Sequence, residues 1–187
     1  MRILVVEDEF LIAEQLSRDI DNLGDTVIGP FADSVEAMCS LNSTVADAAI
    51  LDVRLGGQNS FCIADQLTLQ DVPFLFLTGF AVLDLPSRFR LQSIHSKPSS
   101  TRSLLLNLHA HRLRLGTAGG VHDVLADMLS YVRLVAPDNA AAERLVEQVM
   151  LQAIDIIEGT CLEGDLRGMM IGLMDREIAL NFPRHFH

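Results

Sequence analysis

Five residues in the first part of the chain carry side chains able to act together. Glu7 and Asp8 follow the apolar run 3–6. Asp52 follows the run 48–51, Thr78 the run 74–77, and Lys97 the run 93–95. Each run reads as a short strand, so each polar residue falls at or just past the C-terminal end of one. Three carboxylates gathered in one place repel, and they stay ionised together only when positive charge joins them. Mg²⁺ suits such a set: it is hard and octahedral, and is usually held by a few carboxylates with waters and a phosphate oxygen. A carboxylate beside Mg²⁺ and an ammonium can attack a phosphoryl group, because both cations stabilise the equatorial oxygens. The product is an acyl phosphate. Any one of these residues alone is ordinarily a loop residue or a helix cap; only the spacing of all five is specific.

The elements that must position them alternate. Phe10, Ile12, Ala13, Leu16 and Ile20 recur at helical spacing, and Leu23-Gly24 ends that helix with Gly24 as its C′ residue. Residues 26–29 form a second strand. Ser34 caps a helix carrying Val35, Met38 and Leu41. Residues 61–69 are helical, with Ile63, Ala64 and Leu67 as the apolar side. After the fourth strand a weak segment is broken by Pro86. Ser99 or Ser100 then caps a helix with Leu104, Leu105 and Leu108. Strands that are continuous apolar runs are buried on both faces. The expectation is therefore an α/β fold, a five-stranded parallel sheet with helices on each side. In such a sheet functional groups gather at the C-terminal strand ends, near the switch point.

Residues 116–120, Gly-Thr-Ala-Gly-Gly, form the one small-residue stretch long enough for a linker. It separates a domain over 1–115 from a small all-α domain over 121–187. The helical periods there are Val124/Leu125/Met128/Leu129/Val132, then Leu145/Val149/Ile156, then Leu166/Met170/Leu173/Ile178. Tyr131, Met169 and Met170 read as packing residues. His109 and His111 are two apart and do not share a helix face.

The 187 residues hold 14 Lys+Arg and 25 Asp+Glu, a net charge of −11. After residue 120 five arginines face eleven acids, a net of −6. That balance disfavours nucleic acid as a partner, since phosphate backbones need clustered Lys/Arg. The apolar run 3–6 is too short for a signal sequence, and no run reaches the ~18 apolar residues of a membrane span. Cys39, Cys62 and Cys161 are far apart, odd in number and lack metal-ligand spacing. They read as reduced, mostly buried thiols of a cytoplasmic protein.

Four stretches carry a resemblance: Ile3-Leu4-Val5-Val6-Glu7-Asp8-Glu9, Ile50-Leu51-Asp52-Val53-Arg54-Leu55, Phe76-Leu77-Thr78-Gly79-Phe80, and Lys97-Pro98. Residues 1 to about 115 resemble the receiver domain of two-component response regulators. The resemblance implies that Asp52 is the phosphoacceptor. Glu7, Asp8 and Asp52 would hold Mg²⁺, with the backbone carbonyl of Arg54 as a further ligand. Thr78 would bond a phosphoryl oxygen, and Lys97 would pair with Asp52 and then with the phosphate. It implies a signalling protein that catalyses only its own phosphorylation and dephosphorylation, with a histidine kinase or phosphotransfer protein as donor. The aromatic switch residue usual in the family is Ile94 here. Phe80, just behind the Thr-Gly pair, is the candidate to take over that role.

The order Ser130-Tyr131-Val132-Arg133-Leu134, then Ala142-Glu143-Arg144-Leu145-Val146-Glu147-Gln148-Val149, then Leu166-Arg167-Gly168-Met169-Met170-Ile171 is similar to region 2 of extracytoplasmic-function sigma factors. It departs from that pattern at Arg144, Met169 and Asp175. This resemblance implies a decoy that binds an anti-sigma factor rather than a promoter. The alternatives are a helical segment that only forms a homodimer on a phosphate sink or shuttle, and, weakest, a nucleic-acid-binding output.

Overall fold

The computed structural model describes residues 1–79, 85–115, 121–159 and 166–181. Phe80, the 116–120 stretch, Cys161, His185 and His187 lie outside the described residues. The chain divides into two compact units, Met1–Leu108 and His109–His187.

The first unit runs β1 (Arg2–Val6), α1 (Phe10–Asn22), β2 (Thr26–Phe31), α2 (Ser34–Ser43) and β3 (Ala48–Asp52). A two-strand hairpin of β4 (Arg54–Leu55) and β5 (Gln58–Asn59) follows. Then come α3 (Phe61–Leu69), β6 (Phe74–Thr78), a short 3₁₀ turn (Ser87–Phe89), β7 (Ser93–Ser96) and α4 (Thr101–Leu115), whose residues after Leu108 belong to the second unit. The five-stranded sheet has the order β2-β1-β3-β6-β7, and every pair in it is parallel. From β1 the chain goes first to β2 on one side and then to β3 on the other. The switch point, and with it the crevice for a ligand, lies at the carboxyl ends of β1 and β3.

Both sheet faces are covered. Leu4, Val6, Leu51, Phe74 and Phe76 share one apolar cluster with Ala37 and Leu41 of α2, Ile63, Ala64 and Leu67 of α3, and Phe89. Phe76 meets Phe61, Phe74 and Phe89 edge-on at centroid distances of 6.3, 5.5 and 5.5 Å. Such pairs add about 0.5–1.5 kcal/mol each beyond the area they bury. The alternate residues Ile3, Val5, Ile50 and Leu75 are as fully buried as these. The segment broken by Pro86 thus becomes a short turn whose Phe89 plugs the aromatic cluster. Arg88 pins it from outside with two hydrogen bonds to Asp65, at 2.7 and 3.0 Å.

Several local expectations shift. Asp33, not Ser34, caps α2: its Oδ1 accepts the N–H groups of Val35 and Glu36 at 2.8 and 2.9 Å. Ser34 enters the helix and turns inward with Ala37 and Leu41, which leaves Val35 exposed. Phe10 is not a core residue of α1 but is 74% exposed, and its neighbour Leu11 is 77% exposed; the core side is Ala13, Leu16 and Ile20. Cys39 and Cys62 are exposed rather than buried, each on the outer face of its helix. Ser100 takes the α4 cap, its Oγ accepting the Ser103 N–H at 3.3 Å.

The second unit packs α5 (Val121–Val135), α6 (Asn139–Gly159) and α7 (Leu166–Asn181). Val124, Met128, Val132, Leu145, Val149, Ala153, Met170 and Met174 form its core, with Leu113 from the last turn of α4. Ile156, at the end of the α6 period, is exposed instead. Arg167 Nε donates to the Leu113 carbonyl at 2.8 Å and its Nη2 to Asp127 Oδ2 at 2.8 Å. The buried Glu177 of α7 accepts from Gln148 Nε2 at 3.1 Å and Gln152 Nε2 at 2.7 Å, both on α6. Among the described residues no helix is long and apolar enough to cross a membrane.

The β1–β2 register jumps between Leu4 and Val6, from Leu4↔Ile28 to Val6↔Phe31. Gly29 lies in that bulge at φ +104°, and a Cβ there would stand 2.9 Å from the Phe31 nitrogen and 3.0 Å from the Val5 carbonyl. Gly29→Ala is expected to lower stability by roughly 2 kcal/mol or more in urea unfolding. Gly24 (φ +92°) has open space around it, so Gly24→Ala should cost only about 1 kcal/mol.

Candidate functional site

The registers line up the polar residues at one sheet edge. Val6 pairs with Leu51 and Asp52 with Leu77, so Glu7 comes next to Asp52. Thr78 pairs with Ser96, and the Thr78 carbonyl accepts the Lys97 N–H at 2.9 Å. The bulge in β2 lets the Phe31 carbonyl accept the Glu7 N–H at 2.9 Å. Glu7 is 3% exposed and Asp52 5%, both far below the usual exposure of acids. Thr78 is buried and Asp8 is exposed.

Lys97 organises the charges. Its ammonium donates to Asp52 Oδ2 at 2.6 Å, Glu7 Oε1 at 2.8 Å and Glu9 Oε1 at 2.9 Å. Asp52 Oδ1 accepts the Arg54 N–H at 3.1 Å. Asp8 Oδ2 accepts the Gly56 N–H at 2.8 Å, which fixes it against the β4–β5 hairpin. Glu7 Oε1 also accepts the Glu9 N–H at 3.1 Å. Glu7 Oε2 is buried and has no directed hydrogen bond; it lies 2.7 Å from the Lys97 nitrogen as an ion pair.

The electrostatics follow from this geometry. Burial pushes the Glu7 carboxyl up to about 7, against the hydrogen bonds from Lys97 and the Glu9 N–H, and the Asp52 charge adds to the rise. Burial draws the Lys97 ammonium down. Its hydrogen bonds to Asp52, Glu7 and Glu9 outweigh that, and it ends above the ordinary lysine value. One ammonium therefore does not fully compensate the buried acids. Oxygens of Glu7, Asp8 and Asp52 all lie within 4.8 Å of one another. A set of hard carboxylate oxygens, one of them buried and without a directed hydrogen bond, fits a small divalent cation such as Mg²⁺.

Glu7, Asp8, Asp52, Thr78 and Lys97 thus lie together at the sheet edge. Arg54 follows at the head of the hairpin, with its side chain exposed. Ile94, beside Phe76 in the register, is half-buried against the aromatic cluster. Phe80 lies outside the described residues. Glu9 joins the site although spacing did not single it out; the only signal was its place in the acidic run 7–9.

No family model matches the chain. The transcriptional regulatory protein QseB of Haemophilus influenzae is 37% identical over 86 residues, 45% of this chain and 38% of that protein. The chain thus spans well under half the length of this relative. The solution structure of SdrG from Sphingomonas melonis Fr1 is 36% identical, covers 60% of this chain and 96% of its own, and superposes with a TM-score of 0.54. SdrG in its BeF3-activated conformation gives 34% identity over 93% of that chain and 59% of this one, with a TM-score of 0.50. The CheY-like response regulator receiver domain protein of Methanospirillum hungatei JF-1 shares the fold at 22% identity, 61% and 94% coverage and a TM-score of 0.55.

Because the folded pKa of Glu7 is raised, its stabilising contribution is complete below its unfolded value near 4.5 and is lost as pH rises through about 7. In metal-free protein, Glu7→Gln should therefore raise the urea midpoint at pH 8 relative to wild type and leave it nearly unchanged at pH 4.5. Added Mg²⁺ should stabilise wild type more at pH 8 than at pH 6.

Proposed function

Because the N-terminal unit, Met1–Leu108, belongs to the response regulator receiver family, we propose that the chain accepts a phosphoryl group on Asp52 from a histidine kinase or phosphotransfer protein. The observation that carries this reading is the buried Asp52 carboxylate, 2.6 Å from Lys97 and clustered with Glu7 and Asp8. The BeF3-activated conformation of the similar SdrG supports it.

Each group then has a task. Glu7, Asp8 and Asp52, with the Arg54 carbonyl, would hold Mg²⁺, which supplies charge neutralisation for the transferring phosphoryl oxygens. Asp52 attacks phosphorus with one carboxylate oxygen. The bond from phosphorus to the donor breaks, and its electron pair leaves with the donor. Lys97 and the Thr78 hydroxyl receive the new phosphoryl oxygens, which bring strong acceptors and a charge of about −1.5 to −2. Phe10 and Leu11, exposed directly after the acidic run, supply an apolar edge on which a donor protein can dock. Ile94 and Phe80 are the residues through which the change would spread.

For the C-terminal helices we favour a protein partner, with an anti-sigma factor as the specific reading. Leu151 and Ile154 on α6 are 58% and 44% exposed. They are three residues apart and share a face with the exposed acids Glu147 and Asp155. An apolar strip among acids suits a protein surface and not a phosphate backbone. A phosphate shuttle whose helices only dimerise is the competing reading. It predicts that removal of 121–187 leaves phosphotransfer intact and abolishes self-association.

Incubated with Mg²⁺ and a small phosphodonor, the protein should gain the mass of one phosphoryl group. Asp52→Ala should gain none; an adduct that persists in that variant overturns the reading. Phe10→Ala with Leu11→Ala should slow transfer from a donor protein about tenfold or more while leaving labelling by the small donor unchanged. An anti-sigma partner should form a stoichiometric complex that tightens on phosphorylation and weakens in Leu151→Asp.

A further inference from the structure

The Lys97 ammonium has three N–H donors and no more. All three are engaged, by Asp52, Glu7 and Glu9 at 2.6, 2.8 and 2.9 Å. The Lys97 side chain is only 11% exposed. If Asp52 becomes an acyl phosphate, Lys97 can donate to a phosphoryl oxygen only by giving up one of these acceptors.

The three acceptors are not equally easy to release. Asp52 is the reacting group itself, so its oxygen and the phosphoryl oxygens lie in the same place. Glu7 is buried, so loss of Lys97 would leave its carboxylate with only the Glu9 N–H on Oε1 and no water to take the place of the ammonium. Glu9 differs from both. Its side chain is 62% exposed, so water can replace the ammonium there at little cost. It occupies the N-cap position of α1 but makes no side-chain cap, and its carboxylate reaches across to Lys97 instead. Its backbone is held by the Glu9 N–H bond to Glu7 Oε1 at 3.1 Å, so the reach is fixed from below.

We propose that Glu9 is a positioning residue that holds Lys97 in the unphosphorylated site and competes with the incoming phosphoryl group for that ammonium. The inference rests on Asp52 being the phosphoacceptor. In the step it governs, an Asp52 oxygen bonds to phosphorus and the donor departs with the electrons of the broken bond. No proton moves from Lys97; its third N–H passes from Glu9 to a phosphoryl oxygen. This competition for the ammonium slows formation of the adduct.

The test uses the full chain with Mg²⁺ and phosphoramidate, followed by intact-mass measurement of the initial rate. Glu9→Gln should form the Asp52 adduct about two- to fivefold faster, the range expected for loss of one half-exposed ion pair. In a Lys97→Ala background the same substitution should change nothing. A second readout needs no phosphorylation: the ¹⁵Nζ resonance of Lys97 should shift in Glu9→Gln, and an unmoved resonance overturns the proposal. An adduct formed at one rate in both proteins overturns it, as does a gain that persists without Lys97. Wild-type protein that forms no adduct overturns the phosphoacceptor reading, and the proposal falls with it.

Discussion

One ammonium surrounded by three carboxylates is the interaction on which the first unit depends. Lys97 is drawn into a site that burial alone would make hostile to any charge, and it is kept there because Asp52, Glu7 and Glu9 are already present. Removal of Lys97 from such a cluster is costly, because the buried acids left behind are uncompensated and out of reach of water. Yet the cluster is not closed. Its acids outnumber its cation, Glu7 keeps a buried oxygen without a directed hydrogen bond, and the Glu7 carboxyl is pushed up to about 7 by its burial. The site is therefore under electrostatic tension that added positive charge relieves.

The sheet is arranged to hold that tension. Parallel registers bring the ends of β1, β3, β6 and β7 to one edge, and apolar layers on both faces keep the strand ends from sliding. The β2 bulge at Gly29 frees the Phe31 carbonyl for the Glu7 N–H. The β4–β5 hairpin supplies the Gly56 N–H that aims Asp8. The second unit manages its buried polar groups differently: they are paired. Arg167 is shared between Asp127 and helix-end carbonyls, and Glu177 is held by two glutamine amides. Those networks fix helix positions, whereas the first unit leaves its acids partly unsatisfied where chemistry is to occur.

Much of this was legible in the residues. The run 61–69 shows α3 with Ile63, Ala64 and Leu67 inward, as found, because nine residues of clear period leave little alternative. The ends of β1, β3 and β6 were legible because each apolar run stops at a polar residue; β2 instead continues past the 26–29 run to Phe31. Phe10 misled: helical spacing marks a face but does not say how wide the covered part of that face is, and α1 covers only Ala13, Leu16 and Ile20 fully. The α2 cap was displaced by one residue because Asp33 and Ser34 are both good caps, and their burial decides between them. Exposed Cys39 and Cys62 show that a residue type's average burial is weak guidance at one position.

Residue order alone was enough to read the alternation of strands and helices, the parallel sheet, and the membership of Glu7, Asp8, Asp52, Thr78 and Lys97 in one edge. These follow from local periodicity and from the rule that binding groups gather at C-terminal strand ends. Which oxygens Lys97 reaches, and that Glu9 is among its partners, were settled by the folded chain alone. Lys97 and Glu9 are separated by 88 positions in the chain. Their meeting depends on the summed strand register, helix packing and loop path between them, and hydrogen bonds are selective to a few tenths of an ångström. No local pattern carries that precision.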